Sequence, residues 1–270
     1  MPKADKKAVA TTLYNQHREG TNFAPLTGEL AIDDWTHAYA VQDELMSIYL
    51  EKNPTWRLGG YKVALTSKAM QEMVGAEEPG GGLILAHQIH ESGIELKAND
   101  YQRLCVESEI AMRMGADLPE RSKPYDEESV ASAIESCMAA TELIEDRNAS
   151  YDFDNPTAAF LTITADLSWN RGCVLGSAVT NWQELDLASI QGEMLINGEV
   201  VGTGSGADVL GHPLTALAWV SNHLISRGRS LKTGDVVMTG SVVRTHWLNP
   251  GDEMTTRFNG LGEVSLKVRD

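Results

Sequence analysis

The stretch Val106-Glu107-Ser108-Glu109-Ile110-Ala111 decides how the rest of the chain is read. Two acids are separated by one residue, and apolar Val106, Ile110 and Met112 surround them. A period-two stretch of this kind reads as a strand, and on a strand residues i and i+2 share a face. Glu107 and Glu109 then stand side by side on an otherwise apolar segment. A buried carboxylate without a partner is costly, so the pair needs a cation if it is inside. An all-oxygen ligand set suits a hard divalent ion such as Mg2+ or Mn2+. The competing reading is an edge strand whose outer face carries two solvated acids, and E-x-E spacing by itself does not choose between them.

Upstream, Gly59-Gly60-Tyr61-Lys62-Val63-Ala64-Leu65-Thr66-Ser67 reads as a strand entered through glycines, with Ser67 capping a short helix over 68–74. Lys62 lies inside that strand. Residues 75–82, ending in Gly80-Gly81-Gly82, form a flexible loop by composition, either a lid or a plain connector. No Lys-Ser/Thr pair follows these glycines, so they do not make a phosphate loop. Residues 4–18 and 31–52 have helical periodicity, the second with Trp35, Ala38, Val41, Leu45 and Ile48 on one face and a stop at Asn53-Pro54. They form an N-terminal cap over 1–57, leaving 58–270 as the catalytic domain.

Downstream, 83–114 reads as strands with turns and 127–146 as a helix beginning near Asp126, with Val130, Ile134, Met138 and Thr141 as its inner stripe. Glu142, Glu145 and Asp146 cluster at the end of that helix, where acids oppose the dipole and require a cation, a partner such as Arg147, or solvent. From 160 onward the pattern is β-rich: Phe160–Ala165, Gly172–Gly176, Gln191–Ile196 and Val236–Thr239 are strand-like. Asn197-Gly198 signals a hairpin. His212-Pro213 opens a helix that Gly228 ends.

The 270 residues are 42% hydrophobic and carry a net charge of -16, which suffices for a large core and makes nucleic acid a poor partner. No apolar run approaches the roughly 18 residues of a membrane span, and the N-terminus lacks an apolar region of signal type, so a cytoplasmic protein is expected. Cys105, Cys137 and Cys173 sit in apolar surroundings and read as reduced packing residues. No C-x-x-C or H-E-x-x-H spacing exists, which argues against zinc.

Taken in order, Gly60–Ser67, Val106–Ala111, Glu142-Leu143-Ile144-Glu145-Asp146-Arg147, Val209-Leu210-Gly211-His212-Pro213 and Thr239-Gly240-Ser241 resemble the motifs of 2-hydroxypentadienoate (2-keto-4-pentenoate) hydratases. They equally resemble those of 4-oxalocrotonate decarboxylases. Both groups belong to the fumarylacetoacetate hydrolase superfamily, and the resemblance covers about residues 5–268, counting the closing segment Phe258–Ser265. It implies an α+β fold, with a mostly β core of the fumarylacetoacetase C-terminal type and N-terminal helices. It implies Mg2+ or Mn2+ held by Glu107, Glu109 and Glu142, an active-site lysine at Lys62, and substrate-binding positions at Leu65, Thr239 and Ser241. It also implies a homo-oligomer and a related decarboxylase or hydratase as a partner for association.

The implied reaction is hydration of a 2-hydroxy-2,4-dienoate to a 4-hydroxy-2-oxo acid in aromatic meta-cleavage catabolism. The alternatives are decarboxylation of 2-oxohex-3-enedioate, where Arg244 or His246 would meet the second carboxylate, and a non-catalytic partner subunit. An acylpyruvate hydrolase would need a base, for which His87 and His90 are the candidates. Two departures stand out. Pro79-Gly80-Gly81-Gly82 replaces the family's frequent Pro-Asp-aromatic-Gly, leaving Glu77 or Glu78 as the nearest acid, and Asp166-Leu167 replaces Asp-Asn.

Overall fold

The computed structural model describes residues 3–270. Helix α1 (Lys6–Glu19) is capped by Asp5, whose carboxylate accepts the Lys7 and Ala8 amides; α2 (Trp35–Lys52) is capped by Asp34 in the same way at His37. Strand β1 (Leu58–Ala64) follows, then α3 (Lys68–Val74), which Ser67 caps as expected. Next come β2 (Gly80–Leu85), β3 (Ile89–Glu91), β4 (Ile94–Lys97) and the long β5 (Leu104–Met114). One turn of helix, α4 (Glu127–Ala131), leads into β6 (Ile134–Glu145). Helix α5 (Pro156–Ala165), β7 (Asn170–Leu175), the hairpin β8 (Gln191–Ile196) and β9 (Glu199–Ser205), α6 (Pro213–Ser226), β10 (Val236–Trp247), β11 (Glu253–Phe258) and β12 (Gly262–Arg269) complete the chain.

The strands form two sheets, of order β2-β1-β10-β5-β6-β7-β3 and β4-β12-β11-β8-β9. The helices precede or cover this β core, as the α+β expectation had it. Ser108 shows which way β5 faces. Its hydroxyl meets Thr256 of β11 at 2.7 Å, and Thr256 also meets Thr141 of β6 at 2.9 Å, so Ser108 points between the sheets. Val106, Ile110 and Met112 are fully buried on that same side. Glu107 and Glu109 therefore lie on the opposite face of β5.

Three segments differ from their sequence reading. Residues 134–145 form a strand, not the C-terminal part of a helix. This strand is central and buried along nearly its whole length, so its apolar residues run on without a period. Ala, Met and Leu at helical spacing then imitate a helix stripe. Residues 160–165 lie in α5, not in a strand. Asn155 caps this helix and Pro156 occupies its first position, signals that the alternation of Phe160-Leu161-Thr162-Ile163-Thr164 obscured.

Gly80-Gly81-Gly82 is not a flexible loop either. It begins β2, and all six residues of that strand are buried. Its backbone is held from several sides: Gly81 donates to the Tyr39 hydroxyl at 3.0 Å, and the Gly81 carbonyl accepts from Gln42 at 2.9 Å and Ser168 at 3.0 Å. A Cβ on Gly82 would lie 2.8 Å from the Leu167 carbonyl and 3.1 Å from Cγ of Lys62. Gly82 is bare because another chain segment and the lysine stem pass directly over it. All three cysteines are buried and unpaired. No helix among the described residues is long and apolar enough to cross a membrane.

Candidate active site

Pairing of β5 with β6 places Glu107 directly opposite Glu142, and pairing of β10 with β5 places Ser241 opposite Glu109. One carboxylate oxygen each from Glu107, Glu109 and Glu142 lies within 4.8 Å of the others. The three acids come from adjacent strands, so the cluster exists only once the sheet forms. Glu142 sits in the middle of a sheet and not at a helix end.

Each acid is oriented by a neighbour. The Thr245 hydroxyl donates to Glu107, and the Gly240 amide donates to Glu109 at 2.8 Å. Asn170 donates its side-chain amide to Glu142 at 2.8 Å. Lys62 reaches the cluster from β1, two strands from β5, with Nζ 3.2 Å from the Glu142 carboxylate. Lys62 is 5% exposed, Glu109 is fully buried and Glu142 is 1% exposed.

The electrostatics are unbalanced. Burial, then the Glu142 charge, pushes the Glu107 carboxyl up to about 7, and burial with both acidic neighbours raises Glu109 well above the usual range. Burial works against the Lys62 ammonium, but Glu142, Glu107 and Glu109 outweigh it and hold its pKa above the ordinary value. Three carboxylates facing one ammonium leave two negative charges uncompensated when all are ionised. One Glu109 oxygen, Oε1, is buried without any hydrogen-bond partner. An all-oxygen donor set with that deficit and an orphaned acceptor fits a hard divalent cation.

A cavity of about 410 Å3 reaches this cluster at Glu107 and Lys62, whereas Glu109 and Glu142 do not line it. Lys62, Leu65, Glu107 and Ser241 line it, whereas Thr239 does not: it is fully buried and spends its hydroxyl on the Ile110 carbonyl at 2.8 Å. Ser241 donates to the Val243 carbonyl at 2.7 Å. Arg244 lines the cavity and is exposed. His246 does not line it; its buried Nε2 lies 3.7 Å from where a Gly202 Cβ would be, toward β9. His87 packs against Trp56 at 4.1 Å between ring centroids and His90 lies in β3, and neither lines the cavity. Glu77 and Glu78 are also outside it, with Glu78 accepting from the Trp219 indole at 3.1 Å.

Sequence reasoning missed most of the cavity wall. Tyr151, Phe160, Ile163, Ser168 and Trp169 come from α5 and the loops flanking it. Leu167, Ser168 and Trp169 adopt φ of 55°, 53° and 58° in succession, the left-handed region that costs L-residues energy. Asp166 anchors this turn. Its carboxylate takes hydrogen bonds from Arg147 at 2.7 Å and from the His17 ring of α1. The Asp166-Leu167 departure was the one available signal that something unusual lies here.

The sheet order, the carboxylate cluster and the cavity together define the class. The sequence model described as fumarylacetoacetate (FAA) hydrolase C-terminal matches residues 81–269, and the chain belongs to that family. Among curated relatives, 2-keto-4-pentenoate hydratase 1 of Dechloromonas aromatica (strain RCB) is 31% identical over 259 residues, covering 96% of this chain and 95% of that protein. The 4-oxalocrotonate decarboxylase of Pseudomonas putida is 28% identical over 260 residues, covering 96% and 95%. The solved 4-oxalocrotonate decarboxylase from Pseudomonas putida G7, complexed with magnesium and adipate, superposes with a TM-score of 0.87 at 28% identity, over 97% of both chains. This family contains lyases of both kinds.

Proposed function

We propose that this protein is a metal-dependent hydro-lyase that hydrates a 2-hydroxy-2,4-dienoate to a 4-hydroxy-2-oxo acid. The observation that carries the reading is the buried, charge-deficient cluster of Glu107, Glu109 and Glu142 with Lys62 at the floor of an otherwise largely apolar cavity. Glu107, Glu109 and Glu142 would hold the ion, Mg2+ or Mn2+. The ion would supply Lewis acidity at the C1 and C2 oxygens of the substrate, where negative charge develops. Relatives named for hydratase activity, and the magnesium in the decarboxylase structure, support this choice of chemistry.

The chain's own groups divide the remaining work. Nζ of Lys62 carries a proton and a positive charge beside the reacting end, so it offsets enolate charge and can deliver or receive a proton there. Ser241 and Leu65 contact substrate at the cavity wall. Trp169, Phe160 and Ile163 keep bulk water from the dienol while it is protonated to the unsaturated ketone; one water then adds at C4. Residues 1–57 serve as a cap, with Tyr39 and Gln42 bracing Gly81 from outside, and 58–270 as the catalytic unit.

Arg244 favours a second reading. It lines the cavity on the exposed side, where it would meet the distal carboxylate of 2-oxohex-3-enedioate in a decarboxylase. Incubation of purified protein and Mg2+ with 2-hydroxypenta-2,4-dienoate and, separately, 2-oxohex-3-enedioate separates the readings by product mass. Gain of water from the first supports hydration. Loss of CO2 from the second, abolished by Arg244→Met, replaces it with decarboxylation. No turnover of either substrate, with Mg2+ bound, would fit a non-catalytic partner subunit.

A further inference from the structure

Four residues beyond Glu142 on the same chain, Asp146 forms a second buried acidic centre that the proposed chemistry does not use. It is fully buried and collects donors from five residues, the Cys105 thiol at 3.4 Å among them. Arg103 binds it through Nε at 2.7 Å and Nη2 at 2.6 Å, and the Asn148 amide donates at 3.0 Å. The Tyr151 hydroxyl donates at 2.9 Å and the Trp247 indole at 3.1 Å, both to Oδ2. The Tyr151 ring stands between Trp169 and Trp247, edge-on to each with centroids 5.9 Å away.

The cavity has a depth order. Lys62, Glu109 and Glu142 are at most 5% exposed, whereas Tyr151 is 46% exposed. Tyr151 lines the same cavity as Lys62 and therefore stands toward its mouth. Exposed Met70 and Arg244 line the cavity as well, so a substrate whose oxygen-bearing end lies on the acids has its tail among these residues and the Tyr151 ring. Tyr151 holds a left-handed backbone, φ 61°, in a loop joining β6 to α5. The ring keeps its place through the bond to Asp146 together with the edge contacts to both tryptophans and the Arg103 guanidinium 5.7 Å from its centroid.

We propose that Tyr151 is a specificity-determining residue that limits the tail of the substrate to a short hydrocarbon group, and that Asp146 is the positioning residue that holds it. This rests on the 2-oxo-acid reading above and goes beyond it by naming what ends the tail subsite. Truncating Tyr151 opens the mouth and admits longer tails. Removing only its hydroxyl leaves the edge contacts to Trp169 and Trp247 but loses the anchor to Asp146, so the ring holds the mouth less firmly.

The test uses binding, not turnover. Mg2+-loaded protein is titrated calorimetrically with 2-oxopentanoate and 2-oxooctanoate, neither of which has a C=C bond for water to add across. Tyr151→Ala should shift the affinity ratio toward the longer acid by about tenfold or more, the scale of a few methylenes gaining room. Tyr151→Phe should shift it by about threefold, the scale of one lost hydrogen bond. Mg2+ affinity should be unchanged in both, and Tyr151→Phe retains the ring packing should the alanine variant fold poorly. A ratio unchanged in Tyr151→Ala shows that the ring is not the wall, and wild-type behaviour in Tyr151→Phe shows that Asp146 does not position it; either overturns the proposal. If wild-type protein binds no 2-oxo acid in a Mg2+-dependent way, the functional reading itself fails and the inference with it. Binding with an unchanged ratio sinks the inference alone.

Discussion

Glu142 and Asp146 lie four residues apart, and both are buried carboxylates, yet their surroundings are opposites. Asp146 has a bidentate arginine and hydrogen bonds from Tyr151, Trp247 and a backbone amide. Nearby Glu145 is paired with Arg171 at 3.0 Å, and Asp166 with Arg147. Glu142 instead shares a single lysine with two more acids, and one Glu109 oxygen has nothing. A buried charge that is fully paired needs no ligand, because its desolvation is already offset. One left short either takes up a proton, the direction in which Glu107 and Glu109 are shifted, or is completed by a cation from outside the chain. The contrast sets the acids we propose as metal ligands apart from the structural ones more sharply than burial or spacing does.

The largest expected effect tests the compensated side. Asp166→Ala leaves Arg147 buried without its carboxylate and should cost about 3–5 kcal/mol of unfolding free energy, read by denaturant titration. A loss below about 1 kcal/mol would show that the pair is solvated and the contrast false.

The second effect concerns the uncompensated side. Lys62→Met should lower turnover about 10²-fold, the scale of a lost acid–base or electrostatic group, while Mg2+ still binds. Unchanged steady-state kinetics would reduce Lys62 to a charge-balancing residue.

A smaller effect has the opposite sign. Glu109→Gln removes a charge from the crowded cluster, so in chelator the variant should be more stable than wild type, by about 1–2 kcal/mol. In Mg2+ the order should reverse, since wild type gains binding energy that the variant lacks. Paired melting curves with and without the ion decide this. If chelated Glu109→Gln melts below chelated wild type, the cluster is not short of positive charge.

The smallest effect is in acid. Burial pushes the Asp166 carboxyl upward, but His17 and Arg147 outweigh it and hold it below the ordinary range. Burial likewise opposes Asp146, and Arg103, Trp247 and Tyr151 overcome it. A depressed carboxyl contributes stability that is complete above the unfolded-chain value, about 3.9, and is lost as pH falls through the lower folded value. Urea midpoints should therefore fall below about pH 4, and less steeply in Asp166→Asn. Parallel pH profiles for variant and wild type would remove Asp166 as a source of acid lability.

Gly80-Gly81-Gly82 marks where composition misleads. Glycine runs read as flexible because glycine has the widest backbone freedom. Here they begin a buried strand, and at Gly82 a side chain would meet the Leu167 carbonyl and the stem of Lys62. Nothing adjacent in sequence signals that close approach, since Leu167 lies more than eighty residues away.

Some of the site was nevertheless legible in the chain alone. Period-two alternation put Glu107 and Glu109 on one face, because the side-chain period of a strand is local. Ser67, His212-Pro213 and Asn197-Gly198 fixed their caps and turn for the same reason. Resemblance of ordered motifs supplied Glu142 and Lys62. Only the tertiary structure decided that residues 134–145 are a strand, which sets Glu142 opposite Glu107. It alone brought Lys62 from β1 and the wall residues Tyr151, Phe160 and Trp169 to one cavity. A buried central strand and a buried helix carry the same apolar run, so the choice between them belongs to the neighbours each finds in the sheet, which no local pattern contains.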